Sequence, residues 1–194
     1  MFSNSDKREL VDPERALEGR STKMEVAARH HVLDAALEPP FPDGLELALF
    51  GMGCFWGAER SFWQAAGVYS TAVGYAGGST ESPTYKEVCS GTTGHAEVVQ
   101  VEYEPAQVSY ETLLERFWDC HDPTTRNRQG PDVGTQYRSG VFVKDEAQKA
   151  AAEATKAKQS EAKGAIATEI TEATEFYPAE DYHQRYFEKR GISH

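Results

Sequence analysis

The sequence is short of several things. No apolar run approaches the roughly 20 residues that a membrane-crossing helix needs. The opening residues, "MFSNSDKREL", lack the apolar core of a secretory leader, so a cytoplasmic protein is expected. Basic residues are outnumbered, 20 Lys and Arg against 31 Asp and Glu, for a net charge of −11. Such a chain repels phosphate backbones and anionic lipid, which argues against nucleic acid and membrane surfaces as partners. Cysteine is sparse and odd in number, at Cys54, Cys89 and Cys120. That spacing fits neither a secreted disulfide framework nor a CxxC metal pair, so reduced thiols are expected. No metal or haem ligand set stands out, and His30-His31 has no matching partners.

What is present describes a globular chain. Its 194 residues are 39% hydrophobic and 11% aromatic, enough for one domain with a sizeable core. Residues 1–44 are charged and close on "EPPFPDG". They read as an N-terminal arm packed on a domain formed by residues 45–194. "LELALF" predicts a strand that stops at Gly51 and Gly53, and "CFWGAERSFWQAAG" predicts a helix with Phe55, Ala58, Phe62 and Ala66 at helical spacing. A strand in "VYSTAVGYAGG", a loop in "PTYKEVCSGTTGH" and a strand in "AEVVQVEYEP" follow. "SYETLLERFWDCHD" predicts an amphipathic helix capped by Ser109. A long loop, "PTTRNRQGPDVGTQ", precedes a strand in "YRSGVFVKD", a solvated helix over 145–163, a strand in "AIATEITEATEFYPA" and a last helix in "EDYHQRYFEKRG". The order β-α-β-β-α-β with terminal extensions predicts a two-layer α/β sandwich with a mixed sheet and a ferredoxin-like core.

Two residues carry most of the chemistry. Cys54 lies where a strand gives way to a helix. The unpaired N–H groups of a first turn favour a thiolate, the nucleophilic form, so a lowered Cys54 pKa is expected. Phe55 and Trp56 follow it at once and suit the wall of a small apolar pocket. Glu97 shares a strand face with Val99, Val101 and Tyr103, so burial is expected to raise its pKa and keep a proton available for donation. Tyr85 and Tyr137 are phenols on or beside loops, each able to give one hydrogen bond. Asp132 between Pro131 and Val133 has the look of a turn former, and His183 of a solvated helical histidine. Cys89 and Cys120 read as packed thiols. A cysteine hydrolase using Cys54 with His95 or His183, or a module that binds oxidised peptides without chemistry, are the competing readings from these residues alone.

Several motifs together resemble the A class of peptide methionine sulfoxide reductases. They are "GCFWG" (53–57), "VGYAGG" (73–78), "PTYKEVCSGTTGHAE" (83–97), "HDPTT" (121–125), "RQGPDVGTQYRS" (128–139) and "YHQRYF" (182–187). The resemblance implies reduction of the S-epimer of methionine sulfoxide, free or in proteins, with thioredoxin or another thiol as reductant and no cofactor. It implies that Cys54 is the nucleophile and Glu97 the acid, that Tyr85, Asp132 and Tyr137 surround the sulfoxide oxygen, that Phe55 and Trp56 hold the S-methyl, and that His183 lies close by. A monomer is expected. Many members carry resolving cysteines in a C-terminal tail. Here no cysteine follows Cys120, so either this is a monothiol member or such a tail lies outside this sequence.

Overall fold

The computed structural model describes residues 6–30, 33–37 and 39–192. His31 and the first five residues, on which two of the expectations above rest, lie outside them. The first apolar stretch forms β1 (Glu46–Met52), and its side chains divide by alternation. Ala48, Phe50 and Met52 enter the main core, while Leu49 enters a smaller cluster on the other face. After β1 come α1 (Phe55–Trp63), β2 (Val68–Ala76), a short α2 (Tyr85–Cys89) and β3 (Ala96–Tyr103). Then follow α3 (Tyr110–Asp119), the two-residue strands β4 (Arg128–Gln129) and β5 (Asp132–Val133), and β6 (Ser139–Val143). The chain ends with α4 (Glu146–Lys163), β7 (Glu169–Glu172), β8 (Tyr177–Pro178) and α5 (Tyr186–Lys189).

The main sheet has six strands in the order β7-β6-β1-β3-β2-β8. Its middle four strands pair antiparallel with one another, β8 joins β2 antiparallel, and β7 joins β6 in parallel, which makes the sheet mixed. The β6-β1-β3-β2 order, with α1 and α3 as the crossovers, is the ferredoxin-like arrangement the element order predicts. α3 turns Tyr110, Leu113, Leu114, Phe117 and Trp118 toward the sheet, and Ser109 caps it by accepting the Thr112 N–H at 3.1 Å. Phe50 stacks between Phe62 of α1 and Phe117 of α3, at centroid distances of 5.1 and 5.3 Å. Burying each such ring is worth about 1.5–3 kcal/mol.

Four local expectations are corrected. The segment 83–95 contains α2, closed by a capping box in which Thr84 and Glu87 satisfy each other's backbone N–H. The long loop holds the β4–β5 hairpin and a 3-10 turn at Thr135–Tyr137. The stretch 165–179 forms two short strands, β7 and β8, on opposite edges of the sheet. The last helix is broken into a 3-10 turn at Asp181–His183 and α5, separated by Arg185 at φ 50°.

The described part of the arm lies along the domain. The Leu17 N–H donates to Thr92 O (2.9 Å) and the Thr80 hydroxyl to Leu17 O (2.8 Å). Asn127 donates to Arg8 O (2.8 Å), and His30 is buried against Thr71 of β2 (2.9 Å). No helix among the described residues is long and apolar enough to cross a membrane.

Candidate active site

Cys54 is the N-cap of α1, half-buried where β1 hands over to the helix. The tight reversal ahead of it needs Gly53, at φ 91°, where a Cβ would sit 2.6 Å from the Gln129 side chain. Glu97 lies near the start of β3 and is 1% exposed. Its Oε2 accepts the Phe55 N–H at 3.1 Å, which ties the carboxyl to the turn that presents Cys54. Its Oε1 is buried without a hydrogen-bond partner. A buried, unpartnered carboxyl oxygen is costly, and protonation removes most of that cost.

The electrostatics follow from this burial. Desolvation pushes Glu97 up to about 8, with the nearby charge of Asp132 adding to it and the Phe55 N–H opposing. The same burial pushes Cys54 up to about 12, with the Glu97 charge next in importance and Asp132 adding. The N–H groups of Trp56 and Gly57 pull the thiol down and lose. The expectation of a lowered Cys54 pKa is therefore corrected: first-turn N–H groups stabilise a thiolate, but here desolvation beside an acid outweighs them.

Two phenols join this corner. Burial raises the Tyr137 hydroxyl first, and the charges of Glu97, Cys89, Asp132 and Cys54 follow, so it faces all four. Burial likewise raises Tyr85, with the charges of Cys89, Glu97 and Tyr137 adding to it. Both phenols therefore keep their protons at neutral pH and act as hydrogen-bond donors. Cys89, expected to be packed, is a half-buried thiol that burial pushes up, with the charge of Glu97 adding to it. Cys120, expected to be packed, is exposed at the C-cap of α3.

The aromatic side of the site is built from α1 and the C-terminal segment. Phe55 is fully buried, with Tyr75, Tyr85 and His183 around it at 5.8, 6.3 and 5.2 Å. Trp56 is half-buried, stacked on Tyr186 at 3.7 Å, and donates its Nε1–H to His183 Nδ1 at 3.0 Å. His183 is thus no solvated helical residue. Burial lowers it to about 4, so it is neutral, and accepting at Nδ1 puts its proton on Nε2. Glu180 links the parts, accepting from the Tyr75 hydroxyl and the Tyr85 N–H, each at 2.9 Å.

Sequence reasoning singles out Cys54, Glu97, Phe55, Trp56, Tyr85, Asp132, Tyr137 and His183, and the fold brings all eight to one region. It misses Glu180 and Tyr186. Tyr186 lies inside the "YHQRYF" motif, which is a signal that could have found it; Glu180 carries no local signal. His95 spends both ring nitrogens on the turn after β2, accepting from the Gly78 N–H at 3.1 Å and meeting Thr80 O at 2.7 Å. Among the described residues no group of three or more His, Cys, Asp or Glu could hold a metal ion.

The family described as "Peptide methionine sulfoxide reductase" matches residues 46–193. A relative from Nostoc sp., "Peptide methionine sulfoxide reductase MsrA 2", is 56% identical over 194 residues, covering 97% of this chain and 87% of the relative. The solved "Methionine sulfoxide reductase A of Corynebacterium diphtheriae" is 38% identical, with a TM-score of 0.85 over 96% of this chain and 93% of that one. Mxr1 from Saccharomyces cerevisiae in complex with Trx2 is 27% identical, with a TM-score of 0.55 over 79% of this chain and 93% of that one. The cysteine-hydrolase and binding-module readings fall with these matches: the chain belongs to the peptide methionine sulfoxide reductases, in their MsrA class, and reduces methionine sulfoxide to methionine.

Proposed function

We propose that the reaction runs on Cys54 and Glu97 and acts on the S-epimer, free or in proteins. The carrying observation is the Glu97 carboxyl, buried, hydrogen-bonded to the Phe55 N–H at 3.1 Å, and pushed up to about 8 beside the Cys54 thiol. A sulfoxide is a poor electrophile until its oxygen gains a proton or strong hydrogen bonds. Glu97 supplies the proton, and the Tyr85 and Tyr137 hydroxyls supply hydrogen bonds, drawing electron density from sulfur. The Cys54 sulfur then bonds to the sulfoxide sulfur as the thiol gives up its proton. As that adduct collapses, the oxygen leaves the substrate sulfur and bonds to the Cys54 sulfur while the sulfur–sulfur bond breaks, releasing methionine and leaving Cys54 as a sulfenic acid. Sulfoxide plus thiol becomes sulfide plus sulfenic acid, so atoms and electrons balance. Two external thiols then restore Cys54, releasing water and their own disulfide.

Asp132 orients water near the oxygen. Trp56, backed by Phe55 and His183, receives the S-methyl. Seating the methyl on Trp56 directs the oxygen of one epimer toward Glu97; the other epimer would place its oxygen against the aromatic wall. The yeast complex with Trx2 supports a thioredoxin as reductant, with other thiols as substitutes. Residues 45–194 form the catalytic domain and residues 1–44 an arm docked on it. The protein works as a cytoplasmic monomer without cofactor or metal, and neither nucleic acid nor membrane is a partner. The test is incubation with each epimer of a methionine sulfoxide peptide and dithiothreitol. Methionine is expected from the S-epimer alone, and product from the R-epimer at a comparable rate would refute the assignment.

A further inference from the structure

α1 grips the C-terminal segment at two places, one helical turn apart. In its first turn Trp56 bonds His183 and stacks on Tyr186, the two planes only 5° apart. One turn on, Glu59 is fully buried and accepts the Arg185 backbone N–H at 2.7 Å on Oε2. Its Oε1 accepts from the Thr71 hydroxyl at 3.2 Å. Thr71, on β2, is in turn 2.9 Å from His30 Nε2. His30 Nδ1 accepts the Leu33 N–H at 3.0 Å, so the ring proton sits on Nε2 and His30 donates to Thr71. The arm, β2 and the C-terminal segment thus converge on one carboxyl of α1.

Arg185 is the joint of that segment. It adopts the left-handed conformation, φ 50° and ψ 46°, between the turn that carries His183 and the helix that begins with Tyr186. A bulky residue leaves the right-handed region only where the surroundings hold it there. Its guanidinium is fully buried, 3.8 Å from Glu59 Oε1. The angle set at Arg185 determines where His183 and Tyr186 stand, and these are the two groups that hold Trp56. A carboxyl in this position is expensive, since an apolar side chain of the same size would suit a packed helix face better.

We propose that Glu59 is a positioning residue for the pocket that receives the substrate's S-methyl, acting through the Arg185 turn on Tyr186, His183 and so on Trp56. Glu59 is buried under α1 and does not touch substrate. The inference rests on the reading of Trp56 as the wall against the methyl group.

The experiment is steady-state kinetics of Glu59→Ala, Glu59→Gln and Thr71→Val on the S-epimers of methionine sulfoxide and of its S-ethyl homologue, with Trp56→Ala alongside. Glu59→Ala is expected to raise KM for the methyl substrate about tenfold and to cut the methyl-over-ethyl preference in kcat/KM about tenfold, the scale of one misplaced methylene, while kcat stays within a few-fold. Glu59→Gln keeps an acceptor for the Arg185 N–H and should recover most of the preference. Thr71→Val, which keeps the shape and removes one bond to Glu59, should move KM and preference the same way by less, and it carries the test if Glu59→Ala does not fold. Variants that melt earlier with KM and preference intact would overturn the proposal, as would a fall in kcat alone. If Trp56→Ala leaves the preference unchanged, the reading of the wall fails. If Trp56→Ala lowers it while the Glu59 and Thr71 variants do not, only the present proposal fails.

Discussion

Cys54 and Glu97 share a desolvated corner, and each is pushed toward its neutral form, to about 12 and about 8. At neutral pH the empty site therefore holds a thiol and a carboxylic acid. That pairing keeps the sulfur quiet until a sulfoxide arrives to take the proton, which protects Cys54 from stray oxidation. The acid form of Glu97 is lost as pH rises through about 8, so the rate should fall across that range. Glu97→Gln is expected to lower kcat/KM by about 10²–10⁴-fold and to abolish that alkaline limb in a pH–rate profile. A parent-like rate with the limb intact would place the acid elsewhere. The candidacy of Glu97 is legible in the alternation of "AEVVQVEYEP", because a period of two assigns it to the apolar face. The direction of the Cys54 shift is not. A helix start is visible in sequence, but burial and the charges that add to it come from the assembled fold, here Glu97 of β3 and Asp132 of the β4–β5 hairpin.

At the scale of elements, the β1–α1 junction bears the most precise demand. Gly53 lies at φ 91° with no room for a Cβ beside Gln129. Gly53→Ala should cost about 1–3 kcal/mol of stability and displace Cys54 from Glu97. Denaturant unfolding combined with kcat/KM checks this, and a variant with parent stability and rate would show that the junction tolerates an ordinary backbone. Strong local patterns make β1, β3 and α3 legible in the amino-acid sequence, because alternation and an i, i+3, i+4, i+7 spacing each admit one partner face. The capping box of α2 is equally present in Thr84-Tyr85-Lys86-Glu87, but the glycines and threonines that follow give the segment the look of a loop. The break in the last helix has no such local sign. At the break the Arg185 N–H is taken by the Glu59 carboxyl, from a residue 126 positions away.

For the whole molecule, the buried acids imply a stability that changes with pH. Burial raises Glu59, Glu97 and Glu102 to about 8 each, from an ordinary 4.5. The folded chain then binds more protons than the unfolded one between those limits, so these groups lower stability as pH rises. His121 and His183, lowered from 6.5 to about 4, act oppositely below 6.5, where the unfolded chain binds more protons. Above 6.5 the histidine contribution is constant and the acids dominate. The melting temperature should therefore fall from about pH 6.5 to 8 at fixed ionic strength, and Glu102→Gln should flatten the fall. A melting temperature that stays flat across that window, in the parent and in Glu102→Gln alike, would mean that these carboxyls are already ionised in the folded state. The central claim, that Cys54 itself takes the sulfoxide oxygen, is tested most directly by a single turnover of the S-epimer peptide without reductant, read by mass spectrometry with a sulfenic-acid trap. One methionine per protein and one trapped adduct on Cys54 is the predicted result; methionine formed while Cys54 stays an unmodified thiol would contradict it.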